Sequence, residues 1–197
     1  MIEIEDTTLV LLAAGRAERF GGGKLAADLG GMPLGLHAAT TLAALPFRAR
    51  IAVAASSAPD FAALGYRVLC NDDPARDMAS SVRIGVAAAE GAAVLLALAD
   101  MPRITAAHVG RLFEMADGPD SVVASTDGVR PRPPALFGRG RWEGLLQITG
   151  DKGARDLIAR GRHVPAVADE LVDIDTPEEL VTVRHLLDRA PPFPHSR

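Results

Sequence analysis

A chain of 197 residues, 48% of them hydrophobic, has enough apolar material for one sizeable α/β core. Aromatic residues make up only 4%, so Ala, Leu and Val do most of the packing, which argues against a base-stacking platform for single-stranded nucleic acid. A formal net charge of −4 gives no basic field for a polyanion, so an anionic substrate must be held by local Lys, Arg, backbone amides or a metal.

The first strand-like run is Thr8–Ala13. Its apolar stretch Leu9–Ala14 is too short to span a bilayer and follows acidic rather than basic residues, so it predicts neither a membrane span nor a signal peptide. The cytoplasm is the expected location. The strand runs into Gly15-Arg16-Ala17-Glu18-Arg19-Phe20-Gly21-Gly22-Gly23-Lys24. Small residues let backbone amides approach an anion closely, and Lys24 and Arg19 stand ready to neutralise phosphate oxygens. A P-loop fails on spacing, because Glu18 and Leu25 occupy the positions of its first Gly and its Ser or Thr. The dinucleotide fingerprint fails at Ala17. Taken alone, the loop reads equally well as a turn with solvated charges.

Further along, a helical pattern over Leu34–Ala44 precedes strand-like Arg50–Ala55, a short helix at Asp60–Leu64 and a strand at Arg67–Cys70. Cys70 is the only cysteine, so an internal disulfide and a zinc cluster are both excluded. Asn71 and the Ser80-Ser81 pair flank buried elements; they can contact a base or ribose, or simply cap helices.

A helix over Ser80–Glu90 leads to Ala93–Ala99, whose continuous apolar character marks a strand buried on both faces. Asp100 ends it, at the sheet edge where open α/β folds bind ligands, and a carboxylate there is a natural ligand for Mg²⁺ beside phosphate oxygens. Its place at the end of a buried strand favours that role over a simple cap.

Helical Ala106–Ala116 and strand-like Ser121–Ser125 follow. Proline-rich Gly128–Pro134 reads as a loop over one face. Helices are predicted at Gly140–Gln147, Gly153–Arg160 and Pro177–Asp188. Gly150-Asp151-Lys152-Gly153-Ala154-Arg155 opens one of them, and its basic residues read equally well as available to an anion or as solvated charges at a helix start. In Val172-Asp173-Ile174-Asp175-Thr176-Pro177 two acids alternate along an extended segment, so only one can face the site of Asp100. Local chemistry there favours capping, which Thr176 supplies by itself. The alternation of strands and helices predicts a doubly wound, mostly parallel sheet in one domain over residues 1–189, with 190–197 a frayed, proline-rich tail. The five histidines show no metal-ligand spacing, and no Gly-x-Ser-x-Gly elbow supports a hydrolase.

Taken together, these motifs carry a resemblance. Leu12-Ala13-Ala14-Gly15…Arg19-Phe20-Gly21…Lys24, Leu98-Ala99-Asp100-Met101-Pro102, Gly150-Asp151-Lys152-Gly153-Ala154-Arg155 and Asp173-Ile174-Asp175-Thr176-Pro177-Glu178-Glu179 occur in the order found in the MobA-like nucleotidyltransferases. The chain looks most like that family's molybdenum cofactor cytidylyltransferases. The resemblance implies a Rossmann-like nucleotidyltransferase fold and a nucleoside triphosphate bound by Leu12, Ala13, Ala14, Gly15, Lys24, Asn71, Ser80 and Asp100. It implies Lys24 and Arg19 on the triphosphate, and Mg²⁺ held by Asp100 with Asp175 as the second acidic contact. The Ala13-Ala14-Gly15 form resembles the branch that uses CTP rather than GTP. The implied acceptor is molybdopterin-like, and the implied partner a molybdoenzyme or its chaperone.

Three departures bear on that expectation. Ala17 replaces the family's usual Ser, and Asp77 stands where Gly is common. Arg130-Pro131-Arg132-Pro133-Pro134-Ala135-Leu136-Phe137 lacks the Gly-His-Pro of the cofactor cytidylyltransferases. They leave two alternatives open: a GTP-using or other-acceptor transferase, and a non-catalytic nucleotide-binding or cofactor-binding relative.

Overall fold

The computed structural model describes residues 1–15, 17–71, 73, 77–150, 154–167 and 169–189. In chain order the elements are β1 (Thr7–Ala13), the short hairpin β2 (Asp28–Leu29) and β3 (Met32–Pro33), α1 (Leu34–Ala43), β4 (Ala49–Ala54), β5 (Arg67–Cys70), α2 (Met78–Ala87), β6 (Ala93–Leu98) and α3 (Ala106–Glu114). There follow β7 (Val122–Thr126), β8 (Pro131–Gly138), α4 (Trp142–Leu146), α5 (Arg155–Ala159), β9 (Arg162–Pro165) and α6 (Pro177–Arg189). The predicted helix at Asp60–Leu64 is a 3-10 turn over Ala62–Leu64. The predicted tail 190–197 and the stretch 151–153 lie outside the described residues.

Seven strands form one sheet in the order β5-β4-β1-β6-β8-β7-β9. β5, β4, β1 and β6 pair in parallel, β8 runs against both neighbours, and β9 is again parallel to β7. Side chains of β1 alternate between two cores. Leu9, Leu11 and Ala13 face a layer containing Ala38, Ala39 and Leu42 of α1 and Val109, Leu112 and Phe113 of α3. Val10 faces Val82 and Val86 of α2, Trp142 and Leu145 of α4, and Ile158 of α5. Each fully buried Leu or Val on these strands contributes about 1.5–3 kcal/mol, which is why the doubly covered strands read as continuous apolar runs. α2 lies so close to β1 that a Cβ on Gly85 would come within 2.3 Å of Val10 Cγ1.

One expectation is corrected. Pro131–Pro134 belongs to no surface loop; it opens β8, a strand inside the sheet. The prolines are accommodated at a bulge: the ladder to β7 steps from Ala124↔Ala135 to Ser125↔Arg132, passing over Pro133 and Pro134, which have no N–H to give.

The chain order places a switch point between β1 and β6, since β4 and β5 lie to one side of β1 and β6 to the other. The crevice beyond the carboxyl ends of those two strands is where such sheets bind ligands.

Candidate functional site

The loop leaving β1 turns back on itself. Gly21, Gly22 and Gly23 take φ of +84°, +92° and +63°, a region that costs little only without a Cβ. Ala17 sits at φ +53°, and its carbonyl accepts from the N–H groups of Phe20 (3.0 Å) and Gly22 (3.1 Å). This tight turn returns Lys24 to the sheet edge. On the β6 side, Ala99 N–H donates to Leu12 O at 3.1 Å, carrying the strand pairing one residue past β6 and setting Asp100 level with Ala14. A third segment closes the site: Ile174 N–H donates to Asp100 O at 3.1 Å.

Four side chains from these three segments converge. Lys24 Nζ donates to Asp100 Oδ2 at 2.7 Å and to Asp175 Oδ1 at 3.1 Å, while Arg19 Nη2 donates to Asp175 Oδ2 at 2.7 Å. Lys24 is only 10% exposed at its side chain, whereas Arg19 lies largely in solvent. Burial alone would pull the Lys24 ammonium down, but Asp100, reinforced by Asp175, outweighs burial and holds it above the ordinary lysine value. Burial pushes the Asp100 carboxyl up; Lys24 pulls it back, Asp173 and Asp175 push it further, and the net direction is upward. Both groups of the pair are thus raised. The proton stays on Lys24, whose single ammonium faces two carboxylates.

Asp100 Oδ1 is buried and has no hydrogen-bond partner among the described residues. Hard carboxylate oxygens, one of them unsatisfied, are the donor set a hard divalent cation prefers, so the residues fit such an ion. Among the described residues no cluster of three or more His, Cys, Asp or Glu is disposed to hold a metal alone, so an ion here must complete its shell with substrate oxygens or water.

The surrounding cleft has a volume of about 460 Å³ and is lined by Leu12, Ala13, Ala14, Gly15, Ala17, Glu18, Arg19, Lys24, Leu25, Asp77, Met78, Ser81, Leu98, Asp100 and Asp175. Asn71 and Ser80, expected on the nucleotide, lie behind it. Both are buried; Asn71 Nδ2 donates to Ser80 Oγ and Ser81 Oγ, each at 2.9 Å, and so fixes the start of α2. Ser81, one residue along, presents itself to the cleft instead. Asp77 caps α2 by accepting from Ser80 N–H at 2.6 Å. That N–H, with help from Gly150 N–H, holds the Asp77 carboxyl below its ordinary range, so a fixed negative charge stands in the cleft wall.

Sequence reasoning missed an adjoining slot of about 150 Å³. It shares Leu12, Met78 and Leu98 with the main cleft and is otherwise walled by residues including Met101, Pro131, Pro133, Arg132 and Asp173. The proline run that suggested a loop is the signal that hid it. A separate cleft of about 530 Å³ lies at the opposite end of β7, where Arg141 and Arg162 are engaged with Asp120 and Asp117. It contains none of the residues above.

The segment bearing Asp173 and Asp175 is anchored at its start by a buried network. Glu170 accepts from Thr105 Oγ1 and, at 3.1 Å, from Arg111 Nη2. Arg111 also donates to His108 Nδ1, so His108 carries its proton on Nε2 and donates to Ser125 Oγ, which in turn donates to Pro134 O. Ser125 and His108 are fully buried and the hydroxyl proton is committed, so this is scaffold rather than a nucleophile with its base.

The model of the MobA-like NTP transferase domain matches residues 9–166, and the chain belongs to that family. The purine catabolism protein PucB of Bacillus subtilis (strain 168) is 30% identical over 199 residues, covering 90% of this chain and 96% of PucB. The crystal structure of the Rv0371c homologue from Mycobacterium sp. strain JC1 superimposes with a TM-score of 0.80 at 26% identity, covering 94% of this chain and 98% of that one. That of Rv0371c from Mycobacterium tuberculosis H37Rv, a complex with manganese, gives a TM-score of 0.70 at 24% identity, covering 94% and 100%. The protein is therefore a nucleotidyltransferase of the MobA-like type, acting on a nucleoside triphosphate. Among the described residues no helix is long and apolar enough to cross a membrane.

Proposed function

From that membership we propose that this chain transfers CMP from CTP to a phosphorylated acceptor of molybdopterin type, releasing pyrophosphate, in the cytoplasm. Its product would serve a molybdoenzyme or that enzyme's chaperone. The observation that carries the reading is the meeting of Asp100 and Asp175 on Lys24 Nζ, at 2.7 and 3.1 Å, in a cleft floored by Ala13, Ala14 and Gly15.

The residues divide the work by charge. Backbone amides of Ala13, Ala14 and Gly15, whose own side chains are small or absent, cradle the triphosphate. Lys24, kept protonated by its two carboxylates, and Arg19, at the mouth of the cleft, lie where they offset charge on the departing pyrophosphate. Asp100 and Asp175 would hold Mg²⁺, an ion that supplies charge stabilisation at phosphate oxygens when bound. The manganese of the Rv0371c complex supports a divalent ion of similar oxygen preference. No protein nucleophile is needed: an oxygen of the acceptor's phosphate forms the new bond to the α-phosphorus, the α–β bridging bond breaks, and its electron pair leaves with pyrophosphate. Positioning the two substrates in line is then the main task of the chain.

A second reading changes the acceptor or the base and keeps the reaction. It is favoured by Arg132, Pro133 and Asp173 in the wall of the slot beside the nucleotide cleft, and by PucB, whose name places it in purine catabolism. Assaying pyrophosphate release with CTP and GTP, each against molybdopterin and a panel of organic phosphates, separates the two. Dependence on CTP and molybdopterin together is the expected result; release that needs GTP or another acceptor would establish the second reading.

A further inference from the structure

The residues from Leu171 to Asp175 form neither helix nor strand, yet they bring a carboxylate to the centre of the site. What fixes them lies on β8. Arg132 Nη1 donates to Leu171 O at 2.8 Å and to Asp173 Oδ1 at 3.2 Å, and its Nε stands 3.7 Å from Asp127 Oδ2. The Arg132 side chain is 15% exposed, so these interactions are only partly screened. A guanidinium presents several donors in one rigid plane and can bind a carbonyl and a carboxylate at once, which a lysine ammonium does with far less geometric definition.

Immediately beyond the two groups that Arg132 holds, Ile174 N–H meets Asp100 O and Asp175 meets Lys24 and Arg19. We propose that Arg132 is the positioning residue for Asp175: by clamping Leu171 and Asp173 it sets the depth and direction at which the segment meets Asp100. Arg132 itself contacts neither Asp100 nor Lys24 and acts through the segment alone. The consequence for turnover rests on the function proposed above; the clamping itself does not.

The test uses the full chain with Arg132→Met, Arg132→Lys and Asp173→Asn, each first shown to be folded by its melting transition. Amide exchange by NMR at Ile174 is read against Leu95 in β6. Mn²⁺ affinity is measured by electron paramagnetic resonance with a non-hydrolysable CTP or GTP analogue present. In Arg132→Met and Asp173→Asn the Ile174 amide exchanges at least about tenfold faster while Leu95 is unchanged, and Mn²⁺ affinity falls about tenfold, the scale of losing a group that orients a ligand. In assays kcat falls and KM for the nucleotide stays within about twofold, with partial recovery in Arg132→Lys.

Unchanged Ile174 protection in folded Arg132→Met overturns the proposal. So does a loosened segment with undiminished Mn²⁺ affinity, or lost affinity with the segment still protected. Should Arg132→Met fail to fold, Asp173→Asn, which takes the charge from one of the two groups that Arg132 holds, decides. If the native chain binds Mn²⁺ with neither analogue, the functional reading fails, and Ile174 exchange still decides whether Arg132 holds the segment.

Discussion

Lys24 and Asp100 are 76 positions apart in sequence and meet at 2.7 Å, with Lys24 arriving from the loop after β1 and Asp100 from the end of β6. Each is raised above its ordinary pKa, Lys24 because Asp100 and Asp175 outweigh its burial, Asp100 because burial and its fellow acids outweigh Lys24. The two therefore contribute to stability with opposite signs.

A carboxyl whose folded pKa is raised costs stability wherever it is ionised, that is, above its unfolded value. Asp100→Asn should then melt at or above the native temperature at neutral pH while losing turnover. Lys24→Met removes the cation facing buried negative charge and should cost about 2 kcal/mol. Urea melts of both variants check this, and a strongly destabilised Asp100→Asn would count against it.

Ala17 holds a left-handed backbone at φ +53°, which costs an L-residue about 1–2 kcal/mol relative to the ordinary helical region and glycine almost nothing. Glycine's extra freedom in the unfolded chain takes back part of that difference. Ala17→Gly should stabilise the chain by up to about 1 kcal/mol, read as a rise in the urea midpoint. A fall in the midpoint would show that the turn does not hold Ala17 in that conformation.

Asp77 both caps α2 and places a negative charge in the cleft beside Lys24 and Asp100. Asp77→Ala should cost about 1 kcal/mol, and Asp77→Gly only a few tenths. Both should tighten nucleotide binding by removing repulsion. Calorimetry showing weaker nucleotide binding in both variants would instead give Asp77 a direct part in holding the substrate.

The network around Glu170 predicts an acid-sensitive fold. Burial holds His108 below the ordinary histidine value; Glu170 opposes that and Arg111 adds to it. Below about pH 6.5 the unfolded chain takes a proton that folded His108 refuses, so stability falls as pH drops through that value and levels off below the depressed folded one. Glu170 is pushed up by burial but held lower overall by Thr105, Val167 N–H, His108 and Arg111. Its contribution is present above the ordinary carboxylate value and disappears as pH falls through its depressed one. Melting temperatures between pH 7.5 and 5 should fall for the native chain and be flatter for His108→Gln. Parallel curves would place the acid sensitivity elsewhere.

Much of this was legible in the sequence, and the misses have physical causes. β1, β4, β6 and β7 declare themselves through apolar runs, because strands covered on both faces have little room for polar side chains. Lys24, Asp100 and Asp175 stand at element ends, where motif and geometry coincide, and the structure brings all three to one cleft. β8 was hidden because Pro131, Pro133 and Pro134 read as strand breakers, while the sheet accommodates them at a bulge and continues through Ala135, Leu136 and Phe137. Asn71 and Ser80 were expected in the cleft, yet their hydrogen bonds turn them inward to the start of α2, a direction set by tertiary contacts. Arg132 carried no local signal, because both groups it holds lie about forty residues away.

In the proposed reaction Asp100 and a divalent ion together hold the triphosphate, with cytosine as the base. Isothermal calorimetry of CTP and GTP, each with and without Mg²⁺, on the native chain and on Asp100→Ala decides whether they do. The expected result is CTP binding that needs both Mg²⁺ and Asp100 and exceeds GTP binding by about tenfold, or about 1.4 kcal/mol. CTP binding that is indifferent to Mg²⁺ or survives Asp100→Ala would contradict it, as would a preference for GTP.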